Sequence, residues 1–230
     1  MGRAKKNKRI KLKIKRFKSN KQSFFILANS PKKLYNIIDR YNCKANMHNL
    51  IIKGRRIENV NFRGSIITDC NLKKAELTGV DFIGTNLKGT NFSQATLKNV
   101  IFCGTKLAGC NFNDAKFFNV TFVNVNIKKA LNLIENNPQI QILSSYPSLN
   151  LKEDTIRSLS LLAVENEIYK YHTLHIKKNK YNMLSVYLLL QKFTEEKLAK
   201  GLNKLAQRKN KRRFYTVYSI QRFLESYYQI

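Results

Sequence analysis

Acidic side chains are scarce in this sequence: 14 Asp and Glu stand against 43 Lys and Arg over 230 residues, a formal net charge of +29. Such an imbalance excludes a protein that imitates a polyanion and points instead to anionic partners. Long apolar runs are also missing. Phe24-Phe25-Ile26-Leu27-Ala28 is five residues long and the Leu184–Leu190 stretch is interrupted by Ser185, far from the roughly 18 residues a membrane span needs. The basic head is not followed by the apolar stretch of about 7 to 15 residues that a secretory signal requires, so a soluble, cytosolic protein is expected. No glycine-rich phosphate loop follows a strand. His172 and His175 sit three apart on an expected helix, but no Cys or acidic triplet accompanies them, and they are read as solvated or core-edge residues. With no catalytic constellation, neither enzymatic activity nor a cofactor, metal or small-molecule substrate is expected. What the chain does have is apolar material, 43% of residues with 11% aromatic, enough for a core and too much for wholesale disorder.

The positive charge is unevenly placed. Residues 1–56 carry +17, residues 57–133 only +4, and residues 134–230 +8. The first 21 residues hold 11 basic side chains and no acidic one, among them Lys5, Lys6, Lys8, Arg9, Lys11, Lys13, Lys15, Arg16 and Lys18. Such a block repels itself and stays extended until something anionic neutralises it. Ile10, Leu12 and Ile14 alternate with its lysines in a period that suits an edge strand once a surface is available. A second acid-free cluster runs from Lys200 through Lys204, Arg208, Lys209, Lys211, Arg212 and Arg213 to Phe214, Tyr215 and Tyr218. Basic residues beside exposed rings suit phosphate pairing combined with base stacking.

Between the basic flanks lies a five-residue repeat. Phe62, Ile67, Leu72, Leu77, Phe82 and so on to Ile127 place a large apolar residue at every fifth position, and a small or β-branched residue stands two before each. Gly64, Gly79, Gly84, Gly89, Gly104 and Gly109 all fall two after a centre, a turn-permissive phase. Period five fits neither a helix nor a flat strand, so each unit is one side of a larger coil. Residue types recur most faithfully every twenty: positions 60, 80, 100 and 120 are all Val and 62, 82, 102 and 122 all Phe. That predicts four sides per turn, about three and a half to four coils, and a continuous ladder of Phe62, Phe82, Phe102 and Phe122 at about 4.8 Å spacing. Asn61, Asn71, Asn86, Asn91, Asn111 and Asn126, each just before a centre, are placed to bond along the stack or to turns. Cys70 and Cys110 share a phase two coils apart, about 10 Å by the same spacing, too far for a disulfide, and are read as core fillers.

The units Cys70-Asn71-Leu72-Lys73-Lys74, Ala75-Glu76-Leu77-Thr78-Gly79, Thr85-Asn86-Leu87-Lys88-Gly89 and Cys110-Asn111-Phe112-Asn113-Asp114 resemble the pentapeptide-repeat family, whose pattern is Ala-(Asp/Asn)-Leu-x-x. The resemblance covers about residues 57–133. It implies a right-handed quadrilateral β-helix with small residues and Leu/Phe inward, hence a mainly β fold, and no enzymatic activity. Well-understood members of that family are long, acidic rods that protect DNA gyrase by mimicking DNA; this chain departs from them in both length and charge.

The flanks complete the expected organisation: a basic flexible arm over 1–22, an N-terminal cap over 23–56, the β-helix over 57–133, a linker over 134–149 and a helical region over 150–230. Ser30 before Pro31 predicts a short lid helix over 31–41, and Arg55 in the small-residue phase suggests that coiling has not yet begun there. Asn150 with Glu153 resembles a capping box. Leu161, Val164, Ile168, Tyr171 and His175 keep helical spacing; a second helix is expected over 181–206 and a third with Val217, Ile220, Leu224 and Tyr227 on one face. Together these predict a binding module whose rod is a rigid spacer and whose basic arm and Arg208–Arg213 segment grip RNA, DNA or a nucleoprotein. A protein-interaction scaffold is the alternative, topoisomerase protection included by family analogy. A third reading lays the arm on an anionic membrane, with Phe17, Phe24 and Phe25 as shallow anchors.

Overall fold

The computed structural model describes residues 26–28 and 35–230. The basic arm, the Ser30–Pro31 cap and the Phe17, Phe24 and Phe25 anchors lie outside the described residues. The twenty-residue period is the turn of a parallel β-solenoid: Arg40 pairs with Val60, Val60 with Val80, Val80 with Val100, Val100 with Val120 and Val120 with Ile140. These pairs join strands β2 (Ile37–Tyr41), β4 (Arg56–Asn61), β6 (Glu76–Ile83), β7 (Thr96–Cys103), β8 (Lys116–Val123) and β9 (Ile140–Leu143) into one six-stranded sheet. A further side carries β1 (Ile26–Ala28), β3 (Asn46–His48) and β5 (Ile66–Thr68), continued by pairs from Ile66 to Asn86 and Asn86 to Lys106. Another is stitched by Ile51, Asn71, Asn91, Asn111 and Leu131.

The corners explain why a chain with few glycines can turn so often. Every fifth residue from Asp39 to Asn124 has positive φ; glycine occupies the phase where available and Asn or Asp at most other positions, the residues that tolerate the left-handed region best. Inside, the expected ladder is present: Phe62, Phe82, Phe102 and Phe122 stack with centroids 5.5, 5.2 and 4.7 Å apart. A second stack, Phe92 on Phe112 at 5.0 Å, meets the first edge-on, so the two interlock in the edge-to-face geometry that aromatic quadrupoles favour. The small interior phase also satisfies the backbone. Thr85, Thr90 and Thr105 donate from Oγ1 to the carbonyls of Phe62, Ile67 and Phe82 in the coil below, and the Cys110 Sγ donates to Leu87 in the same way. Asn61, Asn71, Asn86, Asn91 and Asn111 each accept from the amide two residues on, inside their turns.

Four expectations about the rod change. The solenoid has about five turns rather than four, because it begins earlier and ends later than its regular repeat. Residues 37–41, expected in a lid helix, are strand β2, paired in parallel with β4. Hydrogen bonding to the next coil outweighs the helical spacing of their apolar residues. Arg55 does not interrupt the coil; it stays half-buried with its guanidinium 5.7 Å over the Tyr35 ring. The 134–149 linker supplies the last rung, since Ile140–Leu143 returns to register on β8 after an insertion around Ile127–Lys129.

The C-terminal region holds α1 (Glu153–Val164), α2 (Asn166–Tyr169), a hairpin of β10 (His175–Lys177) and β11 (Lys180–Tyr181), then α3 (Met183–Leu190), α4 (Glu195–Gln207) and α5 (Val217–Tyr228). The helix expected over 181–206 is two, because Thr194 caps α4 by accepting from the Lys197 amide. The capping box lies at Thr216 and Ser219; Asn150 does not cap, and Lys152 precedes α1 without a side-chain cap. His175 is in a strand, not on a helix, and donates from Nε2 to the Leu159 carbonyl. These elements pack on the rod: Ile101, Cys103 and Val123, outward-facing on the solenoid, share one buried core with Leu162, Leu174, Leu202 and Leu224. Among the described residues no helix is long and apolar enough to cross a membrane.

Candidate nucleic-acid interface

The basic loop between α4 and α5 is held by the rod. Asn59 occupies a corner with φ 51°, which aims its side chain outward from β4. Its Nδ2 donates to the carbonyl of Arg213 and to Asp39, and its Oδ1 accepts from Thr216 Oγ1. Asn61, on the same strand, donates to the Tyr215 carbonyl. Thr173 reaches the Phe214 and Tyr215 carbonyls from the other side. A nine-residue segment rich in like charge is thereby fixed through its backbone, while Arg208, Lys209, Arg212 and Arg213 stay exposed.

Those side chains line three adjoining depressions. One of about 290 Å³ is bordered by Arg208, Arg212, Arg213, Arg222, Tyr218 and Ser219, with Asp39 and Asn59 of the rod at its floor. A second, of about 440 Å³, shares Arg212 and adds Lys209, Asn210 and Lys211 facing Glu165 and Glu167. A third, of about 390 Å³, shares Arg208 and Phe223 and adds Lys204, Gln207, Ser226 and Tyr227. They read as one groove crossing the α4–α5 loop. Part of the charge is compensated: Arg213 lies 3.2 Å from Asp39, Arg222 3.4 Å from Glu58, and Lys211 3.1 Å from Glu165. Among the described residues Arg208, Lys209 and Arg212 have no carboxylate partner within 4.0 Å. Arg208 is instead held over the Phe223 ring at 5.4 Å, oriented by cation–π attraction with its donors still available.

Of the sequence-predicted residues, Arg208, Lys209, Lys211, Arg212 and Arg213 come together here. Tyr215 does not face the groove as a free stacking ring: it is half-buried, edge-on to Tyr171 at 4.6 Å, and burial raises its phenol pKa. Phe214 is only 6% exposed. Both rings turn inward because the loop's backbone is tied to β4. Lys5, Lys6, Lys8, Arg9, Lys11, Lys13, Lys15, Arg16 and Lys18 lie outside the described residues. Besides an edge of the buried Phe214, the rings that border the groove are Tyr218, Phe223 and Tyr227, and Arg222 joins them. Sequence reasoning placed Tyr227 with the buried face of its helix; the signal available was the four-residue spacing of Ser219, Phe223 and Tyr227, a stripe beside the apolar one.

A second feature escaped the sequence. Asp81, one residue before the ladder member Phe82, is 1% exposed beneath the start of α5. Burial pushes its carboxyl up to about 7, against the opposing pull of the Arg63 guanidinium and the Val217 amide.

The solenoid that presents this groove is matched by the family model for pentapeptide repeat regions over residues 55–131. Solved pentapeptide-repeat structures resemble the chain in part. One from the Arabidopsis thaliana thylakoid lumen is 19% identical over 45% of this chain and 83% of its own, with a TM-score of 0.33. Rfr23 from the cyanobacterium Cyanothece 51142 is 20% identical over 44% and 59%, TM-score 0.25. A trypsin-treated form of QnrB1, a plasmid-mediated fluoroquinolone resistance protein, is 18% identical over 50% and 55%, TM-score 0.27. The chain thus spans little more than half the length of the latter two. No curated protein matches it. The pentapeptide-repeat region ends short of the groove's basic loop, which comes from the C-terminal helices.

Proposed function

We propose that the protein is a non-enzymatic binding scaffold in which the pentapeptide-repeat rod holds the α4–α5 loop as a rigid platform for nucleic acid or a nucleoprotein, with the basic arm as a second grip. The observation that carries this reading is the continuity of the groove through Lys204, Arg208, Arg212, Arg213 and Arg222. Guanidinium groups match phosphate oxygens bidentately, and preorganising them on a fixed backbone lowers the entropy lost on binding.

Salt dependence tests it. With about 6 to 8 phosphate contacts from arm and groove together, the slope of log affinity against log salt is about −5 to −7, and the double substitution Arg208→Ala, Arg212→Ala brings it about 1.5 to 2 closer to zero. Filter binding across a salt series measures both. Binding that ignores salt, or a slope untouched by the double substitution, rejects the groove as a nucleic-acid site. Capture of a protein partner that survives nuclease treatment, with no retained nucleic acid, would instead support the protein-interaction scaffold.

A further inference from the structure

One end of the groove differs from the rest. The depression of about 390 Å³ is bordered by Lys204, Gln207, Arg208, Phe223, Ser226 and Tyr227. Two of its six residues are aromatic, and their rings are nearly parallel, 9° between planes with centroids 6.5 Å apart. Tyr227 is 44% exposed, fixed from behind by an edge contact to Tyr228 at 4.7 Å, while Tyr228 itself donates from its hydroxyl to the Lys197 carbonyl. An exposed, immobilised ring offers a flat apolar face at little entropic cost. Gln207 alongside supplies both a donor and an acceptor within one amide. Arg208 is common to this depression and to the arginine cleft, so a phosphate held in the cleft brings the group bonded to it towards the rings.

Resting on the reading of the groove as a nucleic-acid site, we propose that it selects single-stranded nucleic acid, with an unstacked base laid on Tyr227 and its neighbouring phosphate in the Arg208, Arg212, Arg213 and Arg222 cleft. A base in a duplex has both faces covered by its neighbours, and reaching Tyr227 would require unstacking and unpairing it, which opposes binding. In a single strand that cost is largely absent, and stacking on an aromatic side chain is gained whatever the base.

The experiment uses the full chain and fluorescence anisotropy with four probes: labelled oligo(U), labelled oligo(dT), a labelled duplex of equal phosphate count, and heparin as a competitor without bases. The proposal expects both single strands to bind at least tenfold tighter than the duplex. Tyr227→Ala should weaken single-strand binding by about 5-fold or more while leaving the salt slope, the duplex affinity and competition by heparin unchanged, and Tyr227→Phe should restore the single-strand affinity. Comparison of oligo(U) with oligo(dT) identifies which single strand is preferred, and either preference supports the proposal. Equal or tighter duplex binding, or a Tyr227→Ala chain that binds single strands as well as the parent, overturns it while leaving the groove as a phosphate site. Absence of salt-sensitive binding to any probe removes the underlying reading and this one with it. Melting curves of the Tyr227 variants confirm that the fold is retained, as expected for a ring on the solvent side of α5.

Discussion

At the scale of single residues, two positions show how the solenoid uses its side chains. Phe102 is fully buried, stacked at 5.2 and 4.7 Å on its ladder neighbours and edge-on to Phe92 and Phe112. Removing it leaves a cavity lined by rings that cannot collapse, so Phe102→Ala should destabilise by about 3–5 kcal/mol, with a lower denaturant midpoint as the readout; Phe102→Leu should cost a fraction of that. Asn124 sits at a corner with φ 48°, where a β-branched side chain is strained. Asn124→Val is expected to lose about 1–2 kcal/mol and Asn124→Gly to lose little or nothing, a pair separable by thermal melts. Both positions were legible in the sequence, Phe102 as a member of the twenty-residue ladder and Asn124 as a member of the turn phase. The second ladder, Phe92 on Phe112, was less visible because its phase mixes Phe with Leu72.

At the scale of elements, the decisive contact is that of α5 with β6. Gly79 is a corner with φ 61° whose missing Cβ makes room for Tyr218: a methyl group built there overlaps the Tyr218 ring and its Cβ, 2.9 Å away. Gly79→Ala therefore strains the corner and pushes α5 off the rod. The expected outcome is faster hydrogen exchange in α5 and the Arg208–Thr216 loop, with the distal coils around Phe112 unchanged, and weaker nucleic-acid binding although no basic residue is lost. The glycine phase foretold the turn, but not that a helix more than 130 residues downstream would use the gap. The split of the 181–206 segment into α3 and α4 was similarly hidden, since Thr194 caps only if the chain bends at Gln191–Phe193, and that bend comes from packing against α1 and α5. Conversely, the lid helix over 31–41 followed apolar spacing alone, while the strand at 37–41 follows from an open β4 edge that no local pattern reveals.

At the scale of the whole molecule, Asp81 couples protonation to the seating of the C-terminal helices on the rod. Burial raises its pKa from an unfolded value of 3.8 to about 7, so the folded chain holds the proton more tightly than the unfolded one. Its contribution is favourable below about pH 4 and is lost as pH rises to about 7, an upper bound of roughly 4 kcal/mol from the linkage relation. His172 and His175, whose pKa values are lowered by burial, act in the opposite direction by destabilising the fold as pH falls. The clean measurement is thus the difference between parent and Asp81→Asn: their melting temperatures should diverge between pH 4 and 7, with the variant gaining relative to the parent. Parallel curves would show that the carboxyl does not titrate in that range. The sequence by itself determined the four-sided coil, its ladder and its corners, because a repeat makes each side chain's neighbours those twenty residues away, and local periodicity then encodes the tertiary contacts. It also located the basic loop. Only the tertiary structure decided where the solenoid starts and ends, that Tyr215 turns inward while Tyr227 faces the groove, and that Asp81 is buried. The ends of the solenoid are set by pairing across one coil where the residue pattern has already lapsed, and the placement of Tyr215 and Asp81 by contacts between the rod and the distant C-terminal segment; nothing in the local pattern specifies which surface covers which.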